Sequence, residues 1–231
     1  MKLALFDLDH TLLPIDSDYA WGEFSIRIGW TDPVEFSAKN DAFYAHYQAG
    51  TLDIHDYVRF ATEAFRLQGP EKAAQAHAQF MQEVILPAIR PQATALLERH
   101  REAGDRLVIV TATNEFVTRP IAQALGVAEL IAVELSRGAD GWFTGEINGV
   151  PSIREGKVQR LQQWLQAQGL DWGDVDSTFY SDSSNDLPLL KRVNHPVATN
   201  PDAKLRAAAA AQGWPILELF TQQRSNNSST N

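Results

Sequence analysis

Two aspartates stand two residues apart near the start of the chain, and their carboxylates can do chemistry together. Asp7 and Asp9, with Thr11 just beyond them, follow a short apolar run. Where the chain turns past the end of a strand, two carboxylates at this spacing can flank one point. One can then attack an electrophile while the other serves as general acid and base. The spacing alone leaves open which aspartate takes which part.

Three further polar clusters occur later in the chain. They are Thr111 to Asn114, Lys157 at a helix start, and Asp182 with Asn185 and Asp186. Four acids packed together without a cation would repel strongly, and Mg²⁺, which prefers a few oxygen ligands, relieves that repulsion. Lys157 adds a fixed positive charge, while the Thr111 hydroxyl and the Ala112 amide can hold phosphate oxygens. These groups match the needs of phosphoryl transfer, which are positioning and charge neutralisation.

The elements around the clusters predict where they meet. Strands alternate with helices from residue 89 onward, which predicts an α/β fold with a doubly wound parallel sheet. Ligands bind beyond the carboxyl ends of the strands in such sheets, and all four clusters fall there. The predicted strands are Leu3 to Leu8, Arg106 to Val110, Leu130 to Leu135, Ser177 to Tyr180 and Pro196 to Thr199.

The stretch between the first and second strands has a different pattern. From about residue 16 to residue 86, apolar residues recur three and four apart, and turn signals separate about four such runs. We therefore predict an all-helical inserted cap domain at residues 14–88. The α/β core would comprise residues 1–13 and 89–231, and the polar residues 222–231 would form a disordered tail.

Composition excludes several classes of function. The 231 residues carry a net charge of −9 with no cluster of Lys and Arg, which argues against nucleic-acid binding. No cysteine is present, so disulfides and thiol catalysis are excluded. The N-terminal apolar run is too short for a signal peptide, and no stretch has the length of a membrane span. We expect a cytoplasmic protein that acts on a small phosphate ester, and the sequence does not indicate its oligomeric state.

Each cluster also has an ordinary structural explanation. Lys157 can be a solvated lysine, and Ser183 to Asp186 can be a polar loop that caps the following helix. The same residues can also serve a phosphorylatable switch, or a protein that binds phosphate without turnover. The common position of all four clusters at the strand ends favours an enzyme.

The four motifs together resemble those of the haloacid dehalogenase-like phosphatase superfamily. The matching stretches are Phe6 to Thr11, Val108 to Thr111, Lys157, and Tyr180 to Asp186. The resemblance implies a Rossmann-like core, Asp7 as nucleophile and Asp9 as general acid and base. It also implies Mg²⁺ held by Asp7, Asp182 and the backbone carbonyl of Asp9. Asp186, supported by Asn185, would orient a metal-bound water, and Thr111 and Lys157 would bind the phosphoryl group.

The inserted helices and two further motifs resemble the phosphoserine phosphatase-like branch. Arg154 to Val158 and Asn200 to Leu205 are similar to a subgroup some of whose members are phosphoserine phosphatase-like enzymes or histidinol-phosphate phosphatases, which would make the protein an enzyme of amino-acid biosynthesis. Thr111 to Thr113 and Ser181 to Ser184 are bulkier than the corresponding residues of phosphoserine phosphatase. The resemblance therefore implies an amine-bearing substrate, but these departures argue against phosphoserine itself.

We expect residues of the inserted helices to determine substrate specificity. Asp16 and Asp18 lie where the resemblance places an acid that meets a substrate amine, although both can instead cap the first helix. Four aromatic residues can line a pocket for an imidazole, but their helical spacing also fits ordinary core packing. They are Trp21, Phe24, Phe43 and Tyr47. Arg59 and Arg90 are candidates for binding a substrate carboxylate.

Overall fold

The structure is a computed structural model that describes residues 1–220, so the predicted tail at 222–231 lies outside the described residues. Its centre is a six-stranded sheet in the order β3-β2-β1-β6-β7-β8, with every neighbouring pair parallel. The strands are β1 (Lys2–Phe6), β2 (Arg106–Asn114), β3 (Glu129–Val133), β6 (Asp176–Ser181), β7 (His195–Thr199) and β8 (Ile216–Leu217). The predicted α/β doubly wound fold is confirmed.

Alternate residues of β1 face opposite layers, as the period of two in a strand requires. Ala4 and Phe6 belong to one apolar cluster, while Leu3 and Leu5 belong to another on the other face of the sheet. Helices cover both faces, which explains why the strand is apolar at every position from Leu3 to Phe6. The helices of the core are α6 (Pro91–Glu102), α7 (Glu115–Ala124), α8 (Glu155–Gln166), α9 (Leu187–Leu190) and α10 (Ala203–Gln212).

All regular elements between β1 and α6 are helical. They are α1 (Ser17–Arg27), α2 (Pro33–Ala49), α3 (Ile54–Gln68), α4 (Pro70–Phe80), a π-helical turn (Met81–Ile85) and α5 (Leu86–Ala88). The first three helices each begin after an aspartate whose side chain accepts hydrogen bonds from amides of the first turn. We refer to residues 14–88 as the helical segment.

A two-stranded antiparallel hairpin joins the helical segment to the sheet side of the molecule. It consists of β4 (Leu135–Arg137) and β5 (Phe143–Ile147), and α3 packs against β5. Arg66 on α3 donates to the Thr144 carbonyl at 2.8 Å, and Arg59 forms a two-pronged pair with Glu146. The helical segment is therefore held by side-chain contacts as well as by its two chain connections.

None of the helices within residues 1–220 is long and apolar enough to cross a membrane.

Candidate active site

The loop after β1 turns sharply and lets Asp7 and Asp9 line one cavity below the helical segment. The carbonyl of Leu8 accepts hydrogen bonds from three following amides, at 2.8 to 3.3 Å. His10 takes a left-handed conformation with φ of 56°, which completes the turn. Sequence reasoning extended the first strand to Leu8, whereas the strand ends at Phe6 and this turn begins directly after it.

Lys157 reaches from the start of α8 into the site and bridges two acids. Its Nζ lies 2.9 Å from Asp7 Oδ1 and 2.7 Å from Asp186 Oδ2, and all three side chains are at most 7% exposed. Burial lowers the pKa of Lys157, but the carboxylates of Asp186 and Asp7 outweigh it, so the net shift is upward. Lys157 is thus a charged, buried residue, and the explanation as a solvated lysine is wrong.

The position of Lys157 depends on a glycine. A Cβ on Gly156 would lie 1.9 Å from the carbonyl oxygen of Pro151, so a side chain at that position would push the loop away from α8. Ser152 in the same loop donates to the Thr111 carbonyl at 2.6 Å. The loop, the start of α8 and the end of β2 are therefore packed as one unit.

Asp182 faces Asp7 at the end of β6. Its carboxyl lies within hydrogen-bonding reach of Asp7, and Thr11 Oγ1 donates to it at 3.1 Å. Burial, followed by the charges of Asp7 and Asp186, raises the pKa of Asp182 well above its usual range. Two carboxylates that face each other in this way favour a bound cation.

The donor set fits a magnesium ion. Asp7 and Asp182 provide two facing carboxylates as side-chain donors. Mg²⁺ commonly takes one or two carboxylates and keeps several waters. Both carboxylate oxygens of Asp9 accept hydrogen bonds from other groups, and the family resemblance assigns its backbone carbonyl to the metal.

The Asp9 carboxylate is held between two elements. The Ser17 amide at the start of α1 donates to Oδ1 at 2.7 Å, and the Thr113 hydroxyl near the end of β2 donates to Oδ2 at 2.9 Å. Burial, followed by the charge of Asp16, raises the pKa of Asp9 to about 6. Sequence reasoning gave no part to Ser17 or Thr113, although Thr113 lies inside a cluster it had singled out.

The end of β2 forms one wall of the cavity. Thr111 and Ala112 both line it, and the Thr111 hydroxyl accepts a hydrogen bond from the Thr113 amide at 3.1 Å. The strand extends to Asn114, four residues beyond the predicted end at Val110. Thr111 and Ala112 are therefore held in regular structure beside Asp7 and Asp9.

Asp16 and Asp18 both line the cavity, and they have different partners. Asp16 caps α1 by accepting from the amides of Asp18 and Tyr19, as the capping alternative predicted. Asp18 is 6% exposed and accepts from Asn114 Nδ2 at 3.2 Å. Burial, followed by the charge of Asp16, raises the pKa of Asp18 to about 7.

Tyr47 of α2 connects the helical segment to the loop that carries Asp182 and Asp186. Its carbonyl accepts from Asn185 Nδ2 at 2.9 Å. Burial raises the pKa of the Tyr47 hydroxyl well above its usual range, and the charges of Asp7, Asp186 and Asp182 add to the shift. Asn185 therefore joins α2 to the loop after β6, and Tyr47 places a hydroxyl close to the acids.

The motif at Asn200 ties the loops of the site together. Asn200 Nδ2 donates to the His10 carbonyl at 2.8 Å, while the amide of Asp202 donates to the Asp182 carbonyl at 2.8 Å. Asp202 Oδ2 also accepts from the Ser184 amide at 2.7 Å. The sequence marked this motif only by its family resemblance. Its contacts with the loops after β1 and β6 were not predicted, because the positions of the residues along the chain do not show which loops they meet.

Two of the four predicted pocket aromatics line the cavity. Phe43 and Tyr47 do so, together with Tyr19, Tyr44 and Tyr57, which the sequence did not single out. Trp21 and Phe24 lie in the apolar core instead, at 1% and 2% exposure.

The two arginines proposed for a substrate carboxylate do not line the cavity. Arg59 pairs with Glu146 and Asp56 on the surface. Lys and Arg are both absent from the cavity lining formed by the described residues.

Comparison with known proteins defines the class. The family model of the haloacid dehalogenase-like hydrolases matches residues 4–191, a range that includes Asp7, Thr111, Lys157 and Asp182 but ends before the motif at Asn200. The chain belongs to this family, and its relatives show it to be a phosphoric monoester hydrolase. The predicted resemblance is confirmed, and an enzyme is favoured over the switch and the passive binder.

Individual relatives narrow the comparison. The chain is 44% identical over 219 residues to a histidinol-phosphatase of Neisseria meningitidis serogroup C, covering 94% of this chain and 99% of that protein. A protein of unknown function from Bordetella pertussis Tohama I has a solved structure with a TM-score of 0.89, at 48% identity over 95% of this chain and 99% of that one. A phosphoserine phosphatase solved as a phospho-aspartyl intermediate analogue has a TM-score of 0.65 and shares the fold at 17% identity, covering 96% and 95%.

Proposed function

We propose that this chain is a magnesium-dependent phosphomonoesterase that forms a phospho-aspartate on Asp7. Its substrate is a small amine-bearing phosphate ester, and histidinol phosphate is the leading candidate. The observation that carries the proposal is the buried ion cluster in which Lys157 bridges Asp7 and Asp186 while Asp182 faces Asp7. The earlier expectation of a cytoplasmic biosynthetic enzyme stays a prediction.

The chemistry proceeds in two transfers. An Asp7 carboxylate oxygen attacks phosphorus, the ester P–O bond breaks, and the leaving oxygen takes a proton from Asp9. Asp9 then removes a proton from water, the water oxygen attacks phosphorus, and the bond to Asp7 breaks to release phosphate. A pKa of about 6 suits Asp9 to both parts, because such a carboxyl exchanges its proton readily near neutral pH.

Fixed charges position the phosphoryl group. Lys157 keeps a positive charge beside Asp7, and the Thr111 hydroxyl lines the same cavity. Mg²⁺, held by Asp7, Asp182 and the Asp9 carbonyl, would neutralise charge on the transferred group. The helical segment would act as a cap that keeps water from the site.

The cavity lining supports an amine-bearing substrate without a carboxylate over phosphoserine, which carries both groups. Asp16 and Asp18 present carboxyl groups to the ligand, and the described lining residues offer neither Lys nor Arg for a carboxylate. The carboxylate of phosphoserine would face these acids without a partner and be repelled. Histidinol phosphate carries an ammonium and no carboxylate, so the same acids attract it.

The test measures phosphate release from histidinol phosphate and phosphoserine, with Mg²⁺ and with a chelator. We expect histidinol phosphate to have the higher kcat/KM, and chelation to abolish release. Asp7→Asn should lose activity by about 1,000-fold or more, because the nucleophile is removed. Asp56→Asn, an exposed change on α3, is the matched control. Full activity of the Asp7 variant or in chelator would refute the mechanism, and a preference for phosphoserine would refute the substrate.

A further inference from the structure

One end of the cavity contains a buried amide without a partner. Asn40 on α2 is 3% exposed and lines the cavity. Its Nδ2 is fully buried and makes no hydrogen bond with any of the described residues. Leaving such a group unpaired is unfavourable, because the amide has lost its hydrogen bonds to water. A buried polar group in this position is explained if a ligand supplies its partner.

The Asn40 amide is fixed by the close approach of α1 and α2. A Cβ on Gly22 of α1 would lie 2.7 Å from the Phe36 ring and 3.0 Å from Asn40 Nδ2. Only glycine lets the two helices come this close. The amide is packed against α1 before any ligand arrives, which reduces the entropy lost on binding.

A hydrogen-bond acceptor lies one helical turn away. Asp18 and Gly22 are four residues apart on α1, so they share a face of the helix. The Asp18 carboxylate accepts from Asn114 Nδ2 and lies within hydrogen-bonding reach of the Tyr57 hydroxyl. A carboxylate has about four acceptor sites, so these two contacts leave capacity for a ligand N–H.

Asp16 and Asp18 both interact electrostatically with Asp9, and the charge of Asp7 also affects the pKa of Asp16. Asp16 precedes α1, whereas Asp18 lies within the first turn of that helix. One of the Asp16 oxygens accepts the capping amides of α1, and the side chain also lines the cavity. The cavity thus has an acidic position just before α1 and a second polar position farther along that helix.

We infer that Asn40 and Asp18 form a binding site for a flat nitrogen heterocycle of the substrate, with Asp18 accepting from a ring N–H and Asn40 pairing with the second ring nitrogen. The aromatic residues Phe43, Tyr44 and Tyr57, which line the same cavity, supply apolar contact for such a ring. Asp16 would then bind the substrate ammonium. This inference rests on the proposed phosphatase function and assigns Asn40 as a specificity-determining residue.

Two synthetic esters serve as comparison substrates that show how much the ring nitrogens of histidinol phosphate contribute to kcat/KM. Phenylalaninol phosphate has the same chain, amine and phosphate as histidinol phosphate but a ring without nitrogen. 2-Aminopropyl phosphate has no ring. The ratio of kcat/KM for histidinol phosphate to that for phenylalaninol phosphate reports the ring contacts alone. In Asn40→Leu we expect this ratio to fall about 10-fold, mainly through KM. Ala38→Leu, on the exposed part of the same helix, should keep the wild-type ratio.

Binding of the alcohols gives a second readout that does not depend on turnover. Histidinol should inhibit the wild-type enzyme at lower concentration than phenylalaninol, and Asn40→Leu should remove most of that difference. Asn40→Ser, which leaves more space, serves if the leucine variant does not fold. The inference would be overturned if Asn40→Leu lowered kcat/KM equally for all three esters, or if it left the ratio of histidinol phosphate to phenylalaninol phosphate unchanged. Wild-type hydrolysis of 2-aminopropyl phosphate but not of histidinol phosphate would instead refute the proposed substrate.

Discussion

The carboxylate of Asp9 is held by donors from two distant parts of the chain. The Ser17 amide comes from the start of α1, and the Thr113 hydroxyl comes from β2. Both contacts stabilise the ionised form and lower the pKa of Asp9, but burial and the charge of Asp16 outweigh them. The balance leaves the pKa at about 6, so each contact helps to set the pH at which Asp9 can act as an acid.

Thr113→Val should move the pH dependence of the reaction. It removes a donor to the ionised carboxylate, so the pKa of Asp9 should rise by about one unit. For an alkyl phosphate whose leaving group needs a proton, the alkaline limb of kcat/KM should shift to higher pH by the same amount. Thr118→Val is the control, since that buried hydroxyl donates only to the Asn114 carbonyl. If the alkaline limb of kcat/KM did not shift in Thr113→Val, Thr113 would not affect the pKa of Asp9.

At the scale of elements, the contact between α3 and β5 holds the helical segment over the site. Arg66 contributes to this contact by donating a hydrogen bond to the Thr144 carbonyl. Gly145, with φ of 92°, has no side chain and so leaves space for the Arg66 guanidinium. A Cβ on Gly145 would lie 2.6 Å from Arg66 Cζ. A side chain there would displace the arginine and break its hydrogen bond.

Gly145→Ala should therefore loosen α3. We expect faster amide hydrogen exchange in α3 than in wild type, with β1 and β6 unchanged, and a loss of about 2 kcal/mol in stability. Gly141→Ala is the matched control, since Gly141 also has positive φ, at 78°, but no atom within 4 Å of an added Cβ. It should lose only about 1 kcal/mol and leave exchange in α3 unchanged. Equal effects of the two changes would show that Arg66 does not hold the segment.

Sequence patterns located most elements because their signals are local. The strand predicted from Pro196 to Thr199 matches β7 to within one residue, and the strand predicted from Ser177 to Tyr180 lies within β6. The two-residue edge strand β8 escaped prediction, since its pairing with β7 depends on residues far away in the chain. Long-range partners were missed for the same reason: nothing near Asn40 or Thr113 in the sequence indicates what their side chains meet.

At the scale of the whole molecule, the site concentrates negative charge in a protein whose net charge is already −9. Burial raises the pKa of Asp9, Asp18 and Asp186, to about 6, 7 and 6 respectively. A carboxyl whose pKa is higher in the folded than in the unfolded state binds its proton more tightly when folded. Its contribution to stability is fully present below the unfolded pKa and is lost as pH rises through the folded pKa. The arrangement that prepares the site therefore costs stability at neutral and alkaline pH.

Asp18→Asn isolates this cost, because it replaces a buried ionisable group with a neutral one of the same shape. The pKa of Asp18 rises from 3.8 to about 7 on folding, so the wild type loses stability between about pH 4 and pH 7. The variant should gain about 1 kcal/mol at pH 4.5 and about 4 kcal/mol at pH 8, measured by urea denaturation in metal-free buffer. It should also bind histidinol more weakly, since the charged acceptor is gone. A stability difference that does not vary with pH would mean that Asp18 is not protonated on folding, and that its burial is compensated by Asn114 and Tyr57 alone.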